Sequence, residues 1–194
     1  MRKDKLVEFS MTKQLEEAIS VFGSTCGYAV KTPGTPHLWE VNENAETLDA
    51  EKARIFHSVA AKLLYVKKRK RPDKEPEVAY FITRVENSNV GDWKKMKLCI
   101  TFLKQSKEDK RIIGCFNLKE FFTWVDASFA VYPNMRSHIG GAISMVYGMI
   151  HCRSSKQKSN TKITTESELV GSSEYTPFNI WIILFYDAKG YYIT

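Results

Sequence analysis

Apolar residues recur every three or four positions through most of the first hundred residues and every second position beyond about residue 110. The chain therefore reads as helices first and strands afterwards. In "MTKQLEEAISVFG", Leu15, Ala18, Ile19 and Phe22 fall on one face of a helix that closes on Gly23, and the preceding "KLVEFS" is strand-like. Over residues 24–49 the periodicity lapses, and "KTPGTPHLW" supplies turn chemistry, which predicts a long connector. Three helices follow. The first, over 49–66, carries Ile55, Phe56, Val59, Ala60, Leu63 and Leu64 on its inner face. The second opens at Pro76 and continues through Val78, Phe81, Ile82 and Val85. The third follows a cap at Asp92 and runs through Trp93, Met96, Ile100 and Leu103. Three facing apolar stripes predict a small helical subdomain.

After the charged segment 104–110 the period changes to two. "RIIGCFNL", "FFTWVDASFAV", "GGAISMVYG" and "MIHCRSS" read as short strands, with Gly140 and Gly141 marking a turn or a close approach. One long helix opens with "TTESEL" and ends at Gly190, and "YYIT" begins a further strand. Strands, a helix and a strand predict an α/β layer, α+β over the whole chain.

Composition narrows the function classes. Of 194 residues, 43% are hydrophobic and 12% aromatic, enough for a core and too many for a disordered tail. A net charge of +7 favours polyanionic partners, nucleic acid before anionic membrane. Cys26, Cys99, Cys115 and Cys152 form no CxxC pair, and the four histidines lack finger spacing, which argues against structural zinc and against a disulfide framework. No secretion signal and no span of membrane length is present, so a reducing intracellular compartment is expected.

Two carboxylates draw attention. In "FFTWVDASFAV" the alternation puts Phe122, Trp124, Asp126 and Ser128 on one side and Phe121, Thr123, Val125, Ala127 and Phe129 on the other. Aspartate is a poor strand former, so Asp126 is either a satisfied structural acid or a ligand for metal or substrate. In "KITTESELVGSSEY", Thr165 and Glu168 have the spacing of a capping box, and a first-turn Glu168 can also lean toward the end of a neighbouring strand. If that helix packs on the sheet holding Asp126, the two acids converge and a divalent cation is the natural third party.

In order and separation, "FHSVAAKLLYVKKRKRPD", "WKKMKLCITFLK", "TWVDASFA", "SSKQKSNTK" and "TTESELVGSSE" resemble the polyprotein of copia-type long-terminal-repeat retrotransposons. The resemblance spans nearly the whole chain. It implies the end of a reverse transcriptase palm with a connector over 1–48, a helical thumb or connection subdomain over 49–105, and a ribonuclease H-like mixed sheet with a packed helix over 111–194. Family ribonucleases H cut the RNA strand of an RNA/DNA hybrid with carboxylates that hold two magnesium ions. Asp126 in "VDAS" is similar to the first of these acids and Glu168 in "SELVG" to the second. The polymerase's Tyr-x-Asp-Asp hairpin does not occur, nor does the Asp-Asn pair that carries the third acid. Asp187, nineteen positions after Glu168 on the same helix, is roughly 28 Å along the axis and no substitute.

The resemblance therefore implies a fragment or decayed remnant of the polyprotein, related to hybrid cleavage but lacking a complete site, with weak or absent magnesium binding. An incomplete sheet would leave a bare edge, would partly uncover Phe178, Trp181, Ile182 and Phe185, and would make the nuclease lobe marginally stable. The alternatives are a non-catalytic RNA/DNA-binding module and a small metal-dependent nuclease. Expected partners are hybrid and the rest of the polyprotein, without membrane, in a cytoplasmic virus-like particle or the nucleus.

The basic run Lys67, Lys68, Arg69, Lys70 and Arg71 suits a helix C-terminus stopped by Pro72, with phosphate contact as a secondary role. Ser155, Lys156 and Lys158 in "SSKQK" fit a solvated turn or a phosphate contact equally. Trp93, Trp124 and Tyr175 have the spacing of core residues rather than base-stacking ones, and His138 and His151 are expected to be bystanders.

Overall fold

The apolar stripe of the first amphipathic segment is buried as its spacing predicts: Leu15, Ala18 and Phe22 line the inner side of α1, Thr12–Phe22, which ends on Gly23 in the left-handed conformation at φ 67°. The computed structural model describes residues 6–115 and 118–193. It divides into a helical unit, Ser10–Lys110, and a unit in which residues 6–9 join those from 111 onward. The architecture is α+β, with five α-helices and two small antiparallel sheets among the described residues.

In the helical unit α1 is followed by α2, Ala50–Arg69, a 3-10 turn, Pro72–Lys74, then α3, Glu75–Arg84, and α4, Val90–Gln105. One core joins all four helices, with Phe56, Val59 and Leu63 from α2, Val78 and Phe81 from α3, and Met96, Ile100 and Leu103 from α4. Residues 10–48 pack with the helices in this unit. The connector is irregular, as its turn residues predict, and side chains of α4 hold it. Thr101 Oγ1 accepts from Cys26 N–H at 2.8 Å, and Lys95 Nζ donates to the carbonyls of Leu38 and Glu40 at 2.8 and 2.6 Å.

The cap of α4 differs from the expected one. Asn89, not Asp92, is the N-cap: its side chain accepts from Asp92 N–H, and the Asp92 carboxylate accepts from Asn89 N–H, both at 3.0 Å. Asp92 is buried as the return half of this box and also accepts from the Tyr80 hydroxyl at 2.5 Å and Arg84 Nε at 3.0 Å. Burial and this carboxylate push the Tyr80 hydroxyl up, so it stays a donor.

In the other unit β1, Leu6–Phe9, pairs antiparallel with β2, Arg111–Gly114. The strand expectations at Lys5, Phe116 and Asn117 lie outside the described residues. β3, Phe122–Ser128, β4, His138–Ser144, and β5, Met149–Lys156, form an antiparallel meander in the order β3-β4-β5. A mixed sheet was expected; both observed sheets are antiparallel. The long helix α5, Thr164–Asp187, crosses one face of the meander and runs unbroken through Pro177. Its core is Ala127, Ile139, Ile143, Tyr175 and Ile182. The close approach expected at the glycine pair is real at Gly141, where an added Cβ would lie 2.1 Å from the Tyr175 ring.

Both ends of α5 depart from the sequence expectation. Ile163 in extended conformation precedes the first turn, with no side-chain cap, so Thr165 and Glu168 do not form a capping box. At the other end Gly190, at φ 76°, lets its own N–H reach Asp187 O and Tyr191 N–H reach Tyr186 O, both at 2.9 Å. That reversal uses the Tyr191 amide to terminate the helix, and residues 191–193 form no strand; Thr194 lies outside the described residues. Of the four apolar residues expected to be partly uncovered, Trp181 and Phe185 are exposed, whereas Ile182 is buried and Phe178 is packed against the core.

No helix among the described residues is long and apolar enough to cross a membrane. Gly141→Ala should lower the stability of the sheet unit by about 1–3 kcal/mol through overpacking against Tyr175, measured by denaturant unfolding. In the helical unit, burial raises the pKa of Glu77 from its ordinary 4.5, and its Oε2 is enclosed with no hydrogen-bond partner among the described residues. The folded chain therefore holds this proton more tightly than the unfolded chain. The resulting stability is present at low pH and is lost as pH rises through the raised value. Glu77→Gln should be more stable than the parent above that window, with a flatter stability profile, in urea titrations at stepped pH.

Candidate functional site

The alternation of β3 decides where each candidate side chain goes. Val125 and Ala127 face α5 and pack in the core, and Thr123 Oγ1 bonds Asn179 Oδ1 at 2.8 Å across the same gap. Phe122, Trp124, Asp126 and Ser128 project from the other face and are exposed. Asp126 lies opposite Gly140 of β4. Trp124, expected in the core, is 55% exposed and stacks on Phe122 with ring centroids 6.0 Å apart. Period two alone does not say which face a helix will cover when both carry large apolar residues.

Glu168 begins on the covered side. It is half-buried in the second turn of α5, and its Oε1 accepts from Ala127 N–H at 3.3 Å. β3 is an edge strand of its sheet, so this carboxylate meets the strand backbone one residue from Asp126. The two acids thus reach β3 from different sides: Asp126 projects from the open face, whereas Glu168 bonds the backbone at Ala127 from the face that α5 covers, so the expected convergence of both carboxylates on one spot is not what this geometry gives. Among the described residues no group of three or more His, Cys, Asp or Glu side chains comes together as a metal site. The pair does not by itself fit a two-ion centre, so no hydrolytic step is derived through magnesium.

A cluster of buried hydroxyls, not singled out by the sequence reading, sets the start of α5. Ser137 Oγ, Thr161 Oγ1 and Ser167 Oγ form a closed triangle with sides of 3.1, 2.7 and 2.6 Å. Ala130 N–H donates into it at Ser137 Oγ, 3.1 Å away. Gln157, fully buried, donates its backbone N–H to Ser137 O at 2.8 Å and its side-chain amide to Ser167 O at 2.9 Å. The triangle ties the turn after β3, the turn after β5 and the first turn of α5 together, one residue before Glu168. The available signal was the density of hydroxyl residues in "NTKITTES", which reads locally only as turn and cap chemistry.

The basic run divides in two. Lys67, Lys70 and Arg71 are buried: Lys67 pairs with Glu75 at 2.6 Å, Lys70 donates to Lys107 O at 2.5 Å, and Arg71 bonds Asp73 and Ser106 O. These three cations are committed to partners inside the helical unit. Lys68 and Arg69 are exposed, with Arg69 lying over the Tyr65 ring at 3.9 Å.

In the sheet unit Lys158 is exposed, Ser155 is half-buried, and Lys156 lies over the Tyr132 ring at 4.4 Å. His138 is buried between the Tyr132 hydroxyl at 2.9 Å and Ser154 Oγ at 2.5 Å, and His151 stacks on Phe178 on the covered face. Trp93 packs on Phe22, and Tyr175 is buried, as expected of core residues. Asp187 ends α5 as an exposed residue.

Comparison with known proteins found no matching family model, no matching curated protein and no matching solved structure. Ser167→Ala should cost the sheet unit about 1–3 kcal/mol, because it leaves buried hydroxyls short of a partner, as read by denaturant unfolding.

Proposed function

We propose that the chain is a nucleic-acid-contacting piece related to the reverse transcriptase and ribonuclease H region of copia-type retrotransposon polyproteins, with Asp126 and Glu168 as remnants of the hybrid-cleaving carboxylate set. The observation that carries the reading is the meander followed by α5, a helix that delivers Glu168 to the strand bearing Asp126. A ribonuclease H-like layer has this order of elements, and the collinear motifs support the same reading. The net charge of +7 supports a polyanionic partner. Phosphate contact in the helical unit would fall to Lys68 and Arg69, the exposed members of the basic run.

Magnesium, when held by a complete carboxylate set, activates water and steadies charge on the scissile phosphate. With only Asp126 and Glu168 matching members of the family's carboxylate set, contact with hybrid is the reading the residues support, and self-sufficient hydrolysis is not.

Fluorescence anisotropy with a labelled RNA/DNA hybrid tests this. Affinity should fall steeply, by about tenfold or more, as salt rises from about 50 to 200 mM. The same affinity at both salts would overturn a phosphate-driven contact. In parallel, magnesium should produce no hybrid cleavage. Cleavage that disappears in both Asp126→Asn and Glu168→Gln would replace the proposal with a small, complete nuclease.

A further inference from the structure

Gly140 and Gly141 sit side by side in β4, and only one is there for packing. A side chain on Gly141 would strike Tyr175, whereas a Cβ on Gly140 would meet no heavy atom within 4 Å. The backbone at Gly140 is not in the left-handed region that favours glycine. Glycine inside a strand weakens it, and one that is neither at a bulge nor needed for packing leaves room for a ligand or another backbone to approach the main chain.

Register defines what borders that place. Asp126 and Ser154 lie directly across from Gly140 on the two neighbouring strands. The next row on the same face holds Trp124, Ala142 and Cys152, so small side chains continue the floor beside an exposed indole. The row on the opposite side holds Ser128, His138 and Lys156. Tyr132 folds over that row, with its hydroxyl on His138 and Lys156 above its ring. Arg136 closes the same turn, its carbonyl accepting from Tyr132 N–H at 3.2 Å, and adds a second basic residue beside Lys156.

Aromatic rings exposed on a sheet, a smooth floor and cations at one end are the means by which sheet faces hold unpaired bases and their phosphates. The geometry points to the open face of β3-β4-β5 as a seat for single-stranded nucleic acid, with a base stacked on Trp124 and the sugar-phosphate chain passing over Gly140 toward Lys156. A duplex is excluded because its base faces are already stacked within the helix. The inference rests on the reading above only for a nucleic-acid partner; contact with hybrid stays with the exposed cations Lys68 and Arg69 of the helical unit, and the seat requires neither hydrolysis nor Glu168.

The test titrates the full chain with short labelled oligothymidylate, oligouridylate and a duplex of equal length, following anisotropy and tryptophan fluorescence. Single strands should bind more tightly than duplex, and the two single-strand arms distinguish DNA from RNA. Trp124→Ala and Gly140→Val should each weaken single-strand binding about tenfold or more. Neither should lower the melting temperature, since Trp124 is exposed and valine suits an open strand position. Single strands bound equally by the parent and both variants would overturn the seat and leave the nucleic-acid reading standing. Preference for duplex would overturn the seat as well. Failure to bind any nucleic acid at low salt would overturn both. A lower melting temperature in Gly140→Val would mean that the glycine is structural, against the inference.

Discussion

The sheet unit depends on a triangle of hydroxyls. Ser137, Thr161 and Ser167 each present a donor and an acceptor, and in a closed ring every member satisfies the next. Burying three hydroxyls without such closure would cost several kcal/mol, so the ring is stable only when the three segments meet in one arrangement. That arrangement fixes the rotation and depth of the first turn of α5. The position of Glu168 against β3, the packing of Tyr175 over Gly141 and the contact of Asn179 with Thr123 all lie downstream on the same rigid helix.

The helical unit uses polar groups to the same end but with charge. Asp92 collects an amide, a phenol and a guanidinium, and thereby locks α3 to the start of α4. Lys67 and Arg71 find Glu75 and Asp73 within a few residues, while Lys70 and Arg71 reach carbonyls just beyond the end of α4. A buried cation left without these partners would be strongly destabilising, so the basic run specifies where the end of α2 must sit.

How much of this was legible in the sequence follows from the range of the interactions. α1 to α4 were readable because each buries a stripe with helical spacing, and the end of α1 because Gly23 supplies the left-handed residue. The strands β2 to β5 were readable from alternation and from the turn residues between them. What escaped was set by partners distant in the chain. Glu168 fits a capping box locally, yet its carboxylate goes to Ala127, forty-one residues away. Lys70 looks like a solvated cation until Lys107 O is beside it. Trp124 and Val125 are equally apolar, and only the placement of α5 decides which is covered.

The bond from Ala127 N–H to Glu168 has one more effect. A strand at the margin of a sheet offers its free amides to any extended peptide that drifts past, and two stacked aromatic rings make this margin more adhesive. A visiting chain that tried to continue the hydrogen-bond ladder through Ala127 would have to displace a carboxylate, with no new donor supplied to it. The bond to Glu168 therefore limits how far such stray pairing can travel along β3.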